Sequence, residues 1–285
     1  MAKRTSKEQK PRKTAKPKQD SPKPGPHFSE SVMAGMFGGA NNAQELAYEA
    51  MDAMADGDYE RAANFAAKAA ELDRNCIDAM HILSQLGSET EEDLIENLSR
   101  TVDRAQHVLG EKYFRENEGY FWGLLETRPY MRAHAELAGV LYSSGDVAQA
   151  IEHWQRLLQL NPNDNQGLRY PLLGACLELG DLDAAEQVFK QYDEEHSAVF
   201  AWARLLWELL QDNQPAAKKT LTAARKINPH VEQLLTGRKR LPKQLPGYYS
   251  PGEPSEAYMC YDSIGAAWKK HRTAIKWLKE NAKDK

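Results

Sequence analysis

The sequence predicts an all-α fold made of stacked pairs of antiparallel helices. Three segments share a pattern in which Gly-Asp is followed by an Ala five residues after the Gly, and an apolar, helix-like stretch precedes each of them. The Gly can adopt the left-handed conformation that ends one helix, the Asp can cap the next helix, and the small Ala allows two helices to approach closely. These segments are Gly57–Ala62, Gly145–Ala150 and Gly180–Ala185.

The spacing of these segments identifies the type of repeat. A fourth copy lacks the Gly but keeps Ala217 at the corresponding position, and the last three copies are separated by 35 and 32 residues. Pro162 and Pro229, which break helices, each follow the Ala of their copy by twelve residues. The tetratricopeptide repeat has a period of about 34 residues. The sequence therefore predicts a tetratricopeptide-type α-solenoid of helix-turn-helix repeats over residues 43–235.

The gap between the first two clear copies contains a degenerate repeat and an insertion. Residues 77–86 and 93–109 have the pattern of two helices, and Thr90 with an acidic residue three positions later resembles an N-cap. Residues 110–129 do not fit the repeat, but they are rich in aromatic residues, so we expect a packed insertion. The aromatic residues are Tyr113, Phe114, Tyr120, Phe121 and Trp122.

The N-terminal segment differs in composition from the repeats. Residues 1–27 contain nine Lys/Arg and five Pro but only Glu8 and Asp20 as acidic residues. Such a segment buries too little apolar surface to offset its loss of entropy on ordering, so we predict a disordered basic tail, with residues 28–42 as a linker. The tail carries about +7 and the whole chain −4, which leaves about −11 for the remainder.

The C-terminal segment, residues 236–285, is predicted to form a connector and a cap. Gly237–Gly252 contains three Pro and three Gly, too many for a helix interior. Ser255–Trp268 and Arg272–Asn281 follow as two helices. Because the last repeat of a solenoid needs its apolar face covered, we expect these helices to cap it.

Three longer motifs are specific enough to be compared with known families. They are Phe121–Arg132, Asn161–Tyr170 and Leu241–Tyr249, with Ala267-Trp268 and Trp277-Leu278 further on. These motifs resemble bacterial tetratricopeptide proteins related to the suppressor-of-tumorigenicity-7 family, and the resemblance extends over roughly residues 40–280. It implies a helical repeat fold and brings no activity, cofactor or catalytic residue with it. Animal relatives are membrane proteins, whereas this sequence has no apolar run of about 20 residues, which a membrane span needs.

The sequence contains no recognisable catalytic or metal-binding motif. Cys76, Cys176 and Cys260 are far apart, which argues against a disulfide framework and indicates a reducing, cytoplasmic compartment. The eight His are scattered, without H-E-x-x-H or a Cys/His cluster at ligand spacing. We therefore predict a protein without enzymatic activity, cofactor or metal.

One group of polar residues is a candidate ligand site. In stacked helix pairs the first helix of each pair lines the concave groove, and two adjacent first helices begin with Arg, Asn, Gln and Tyr residues. Arg side chains and helix N-termini both favour a carboxylate or phosphate ligand. The alternative is that these residues serve hydrogen bonding between repeats and helix capping. The group consists of Arg128, Tyr130, Arg132, Asn163, Asn165, Gln166, Arg169 and Tyr170.

The function predicted from the sequence is a protein-protein interaction scaffold that binds an extended or acidic peptide segment in the groove. Solenoid surfaces suit this role because they offer a long continuous contact. Two alternatives are that the basic tail tethers the protein to nucleic acid or to an anionic surface, and that the Arg/Asn/Tyr group belongs to an unrecognised enzyme. The sequence predicts no particular partner, process or oligomeric state.

Overall fold

A computed structural model describes residues 40–282, and within this range the chain is helical, without any β-strand. The predicted all-α class is therefore confirmed. None of the helices in this range is long and apolar enough to cross a membrane. The predicted tail and residues 28–39 of the predicted linker lie outside the described residues, whereas residues 40–42 already belong to the first helix. The α-helices are α1 (Ala40–Ala55), α2 (Tyr59–Leu72), α3 (Ile77–Gly87), α4 (Glu91–Leu109), α5 (Glu111–Asn117), α6 (Arg128–Ser143), α7 (Val147–Leu160), α8 (Arg169–Leu179), α9 (Leu182–Gln191), α10 (Ala198–Leu210), α11 (Gln214–Ile227), α12 (Val231–Leu235), α13 (Pro254–Lys270) and α14 (Arg272–Glu280).

The helices pack as antiparallel pairs: α1 with α2, α3 with α4, α6 with α7, α8 with α9, and α10 with α11. Within three of these pairs a Gly with positive φ ends the first helix, and in the pair α10–α11 Asp212, at φ 56°, takes this role. The residue that follows caps the second helix by accepting a hydrogen bond from a backbone N–H. These caps are Asp58, Asp146, Asp181 and Asn213.

The small residue of the repeat pattern lies where the two helices of a pair cross. Ala62, Ala150, Ala185 and Ala217 are all fully buried, as close helix packing requires. In the degenerate repeat, Thr90 and Asp93 form the predicted cap at the start of α4, as a reciprocal capping box. The local signals in the sequence therefore place these helices correctly.

The insertion between α4 and α6 is packed around an aromatic side chain. It consists of α5 and two 3₁₀ turns, Phe121–Gly123 and Leu125–Thr127. The Phe121 side chain is fully buried and its ring centroid lies 4.9 Å from that of Phe114 and 6.1 Å from that of Tyr130. These contacts attach the insertion to the first turn of α6.

The C-terminal helices cap the repeats, and one of them also enters the groove. α13 packs against α8 and α10, the first helices of two successive pairs, so it lies on the concave face. A Cβ added at Gly174 of α8 would overlap the carbonyl oxygen of Ser263 in α13, so the two backbones touch. α14 follows, and its Trp277 Nε1 donates a 2.6 Å hydrogen bond to Gln214 Oε1 at the start of α11.

Candidate functional site

The concave face is filled in front of α8 and α10 by α13, but it is open in front of α3 and α6. The open section, which we call the open groove, has a cavity volume of about 880 Å³. Its walls come from α3, the turn after α3, the start of α4, and one face of α6. The polar residues that line it include His81, Gln85, Glu89, Glu91, Arg132, Glu136 and Gln166.

Arg132 forms part of the wall of the open groove but is already paired. Its Nε donates a 3.0 Å hydrogen bond to Oδ1 of Asp78, and a second guanidinium nitrogen contacts Oδ2. Asp78 is fully buried and also accepts a 2.7 Å hydrogen bond from Gln44 Nε2 in α1. Because the carboxylate matches the charge of the guanidinium, this pair adds no net positive charge to the groove.

Two buried polar atoms in the groove wall have no hydrogen-bond partner. His81 is 8% exposed, and its Nε2 has no partner. Gln166 donates from Nε2 to the Met131 carbonyl at 3.0 Å, but its Oε1 has no partner. Burial lowers the pKa of His81, so its ring is neutral near pH 7. The groove wall therefore contains an imidazole nitrogen and an amide oxygen that have no hydrogen-bond partner among the described residues.

The open groove carries negative charge. Glu136 lies on α6, and Glu89 and Glu91 lie at the turn between α3 and α4. Within residues 40–282 none of these three carboxylates forms an ion pair. Since Arg132 is matched by Asp78, the lining has an excess of about three negative charges by formal side-chain charge at neutral pH.

Two of the predicted site residues hold the insertion in place instead of facing the groove. Tyr130 is 1% exposed, and its hydroxyl lies 2.8 Å from His134 Nδ1, so it cannot reach a ligand in the groove. Arg128 donates from Nε to the Trp122 carbonyl at 3.0 Å and its guanidinium lies over the Trp122 ring. Both residues therefore serve packing and hydrogen bonding within the protein, which is the alternative to a ligand site.

Arg169 and Tyr170 belong to an internal ion-pair network. Arg169 bridges Asp164 and Glu195, with nitrogen–oxygen distances of 2.7 Å to each. The Tyr170 hydroxyl donates to Glu195 at 3.1 Å. The two carboxylates match the charge of Arg169. Since Asp164 lies before α8 and Glu195 before α10, these ion pairs connect the two turns.

The remaining predicted residues divide between the surface and the groove. Asn163 and Asn165 are exposed in the turn between α7 and α8 and do not line the cavity. Of the eight predicted residues, only Arg132 and Gln166 do so. His81 and Glu136 also line the groove and are not among the predicted residues. A usable signal was present, since Glu136 follows Arg132 by four residues and so shares its helix face.

The other groups that bear on the chemistry of the open groove are metal ligands and cysteines. No group of three or more His, Cys, Asp or Glu in the described range could hold a metal ion. The three thiols are buried, and burial raises the pKa of Cys176 to about 12, so this thiol is inert at neutral pH.

Comparison with known proteins supports the repeat assignment. Residues 141–207 match the family model described as a tetratricopeptide repeat, a stretch that runs from the end of α6 into α10. The repeat type predicted from the sequence is thus confirmed for this part of the chain. No curated protein matches the sequence, and the resemblance to the suppressor-of-tumorigenicity-7 family stays a prediction.

Two solved structures are similar to this chain. YrrB, described as a TPR protein with an unusual peptide-binding site, is 18% identical, with 71% of this chain and 93% of that chain covered and a TM-score of 0.47. PilF of Pseudomonas aeruginosa is 16% identical, with 66% and 93% covered and a TM-score of 0.33. Because both TM-scores are below 0.5, neither similarity carries an argument about the site.

Proposed function

We propose that this protein is an interaction scaffold whose open groove binds an extended peptide segment of a partner protein. Helical repeat folds present concave surfaces that suit long, continuous contacts with other proteins. Here α13 occupies one part of the concave face, so a partner has access to the part between α3 and α6.

The observation that carries this proposal is the pair of unpartnered atoms, His81 Nε2 and Gln166 Oε1. A buried polar group without a hydrogen bond costs about 1–3 kcal/mol, and such groups are uncommon in folded proteins. Both residues line the same cavity, and a small rotation of either side chain would turn its unpartnered atom toward a bound segment. An extended peptide presents a backbone N–H and C=O at every residue, so it supplies the missing partners, and binding it relieves that cost.

The size of the groove sets the length of the bound segment. The face of α6 that lines it runs from Arg132 to Ser143, eleven residues further, which corresponds to about 17 Å of helix. An extended chain advances about 3.3 Å per residue, so about five residues fit along this wall. The recognised segment is therefore short.

The charge of the groove determines which segments bind best. The sequence favours an extended or acidic segment if Arg132 and Arg169 are free cations. Both are matched by carboxylates of the chain itself, and the lining has unpaired Glu89 and Glu136. The groove thus favours a segment with Lys or Arg.

Selection from a library of random 12-residue peptides displayed on phage tests this function. The blocking variant is Gly139→Trp, because Gly139 lines the groove and nothing lies within 4 Å of an added Cβ. The matched control is Gln155→Trp, which places the same side chain on the exposed face of α7. Selected peptides should be enriched in Lys and Arg and should bind the control as they bind the parent protein.

Gly139→Trp should reduce the affinity for these peptides at least tenfold, a change of about 1.4 kcal/mol. Circular dichroism establishes that both variants are folded. The proposal is wrong if no peptide is enriched, or if the peptides bind the blocking variant and the control equally well.

A further inference from the structure

The open groove has a candidate occupant within the same polypeptide. We infer that the basic segment of residues 3–23 docks in the open groove and competes there with the partner. This inference rests on the proposed function, since it names an internal ligand for the same groove.

Charge complementarity is the first argument. Residues 3–23 contain nine Lys/Arg and two acidic residues. The open groove presents Glu89, Glu91 and Glu136 without ion-pair partners among the described residues. The positive charge of the segment complements the negative charge of the groove. Because its Lys and Arg residues are closely spaced, the segment can bind in several registers along the groove.

The position at which the chain enters the fold is the second argument. α1 begins at Ala40, and Gln44, one turn later, donates to Asp78, which in turn binds Arg132 in the groove wall. The N-terminus of α1 therefore lies beside one end of the open groove. The chain that carries the basic segment therefore joins the fold close to the proposed site.

The length of the intervening chain is sufficient. The twelve residues 28–39 can span up to about 40 Å when extended. The groove wall measures about 17 Å along α6. Residue 27 can therefore reach either end of the groove, and the basic segment can lie along the wall in both directions.

Tethering makes a weak interaction effective. Exposed ion pairs are individually weak, but a short linker confers an effective concentration in the millimolar range. The basic segment thus occupies the groove at low partner concentration. A partner that also bonds His81 and Gln166 displaces it, so the segment sets a threshold for partner binding.

The test uses the full-length chain and a full-length variant in which the nine Lys/Arg of residues 3–23 are replaced by Gln, the neutral-tail variant. The probe is a fluorescent synthetic peptide with the sequence of residues 3–23, and its binding is followed by anisotropy. The neutral-tail variant should bind the probe about tenfold more tightly than the parent chain, because the tethered copy no longer competes. Raising the salt concentration from about 50 mM to about 300 mM should weaken binding.

Charge variants locate the binding surface. In the neutral-tail background, replacing Glu89, Glu91 and Glu136 by Gln should abolish probe binding. The matched control neutralises three exposed carboxylates that lie away from the groove and should leave binding unchanged. The control substitutions are Asp56→Asn, Glu71→Gln and Asp103→Asn.

Besides a failure of the probe to bind, four results overturn the inference. The first is equal probe binding by the parent and neutral-tail chains, and the second is an equal loss of probe binding in the groove and control charge variants. The third is a dimer of the parent chain that dissociates in the neutral-tail variant. The fourth is binding of duplex DNA through the tail that the groove substitutions do not affect. If the probe fails to bind but phage-selected peptides still depend on Gly139, the inference fails and the proposed function stands. If the probe binds but no selected peptide is sensitive to Gly139→Trp, the proposed function fails.

Discussion

Replacing Gly174 by Ala should destabilise the protein, although the same change usually stabilises a helix. A methyl group at Gly174 would overlap the carbonyl oxygen of Ser263 and lie 3.0 Å from its carbonyl carbon. A Cβ atom does not approach a neighbouring heavy atom within about 3 Å, and the oxygen overlaps more deeply than the carbon, so α13 would have to retreat from α8 by at least about 1 Å. The obstacle is backbone, which cannot rotate away as a flexible side chain can.

The magnitude follows from two opposing contributions. Ala is favoured over Gly in a helix interior by about 0.8–1 kcal/mol, whereas overpacking a core costs about 1–3 kcal/mol. We expect the overpacking cost to be the larger contribution. The displacement of α13 would also weaken the packing of Trp268 and Cys260, which are fully buried. Because the overlap is with backbone, the overpacking cost should lie at the upper end of its range, which leaves a net loss of about 2 kcal/mol.

Thermal melting of Gly174→Ala and of a matched control measures this effect. Gly139→Ala makes the same change in α6, where an added Cβ meets nothing within 4 Å, so it should stabilise the protein. One kcal/mol corresponds to about 2–4 °C in Tm for a protein of this size. A Tm for Gly174→Ala at or above that of the parent chain would refute the close approach of α8 and α13.

Three more predictions concern packing, charge and pH. Ala150→Trp should cost about 1–3 kcal/mol or more by overpacking a helix crossing. Lys279→Trp on α14 should hardly change the stability, and equal shifts in Tm for the two variants would contradict the placement of Ala150. Arg132→Met should cost about 3–5 kcal/mol in urea unfolding because it leaves the buried Asp78 carboxylate without its partner, and a loss below about 1 kcal/mol would contradict this pairing. Burial, ahead of nearby positive charge, lowers the pKa of His134 to about 3. The neutral ring therefore stabilises the fold above about pH 6.5, and this contribution is lost as the pH falls toward 3. The loss between pH 7 and about 4.5 should be about 2–3 kcal/mol, and urea unfolding of His134→Gln should lack it.

The candidate site was only partly predictable from the sequence. Arg132 and Gln166 line the open groove, as expected for residues near the start of a first helix. The buried position of Tyr130 and the ion pairs of Arg169 depend on the insertion and on the next repeat, and no helix periodicity encodes these contacts. The pairing of Arg132 with Asp78 is not encoded locally either, since Asp78 lies 54 residues before Arg132 in the chain.

The sequence by itself determined the helix pairs and their turns. Gly with positive φ, an Asp cap and a small Ala act within a few residues of one another, so their effect on the backbone is local. Their recurrence at Gly57, Gly145 and Gly180 is sufficient to define the repeat, and the structure places each of these residues at the end of a first helix.

Only the tertiary structure decided which part of the concave face remains open. α13 could be recognised as a helix from its sequence, but its location depends on a backbone contact between Gly174 and Ser263, which lie far apart in the chain. A Gly inside an apolar helix can be explained in several ways, so Gly174 alone does not predict a contact. It permits the close approach because α13 returns across α8 and α10. That return fills one end of the groove. The section between α3 and α6, with the unpaired Glu89, Glu91 and Glu136 in its lining, stays open because α13 packs against α8, α10 and α12 rather than against α3 and α6.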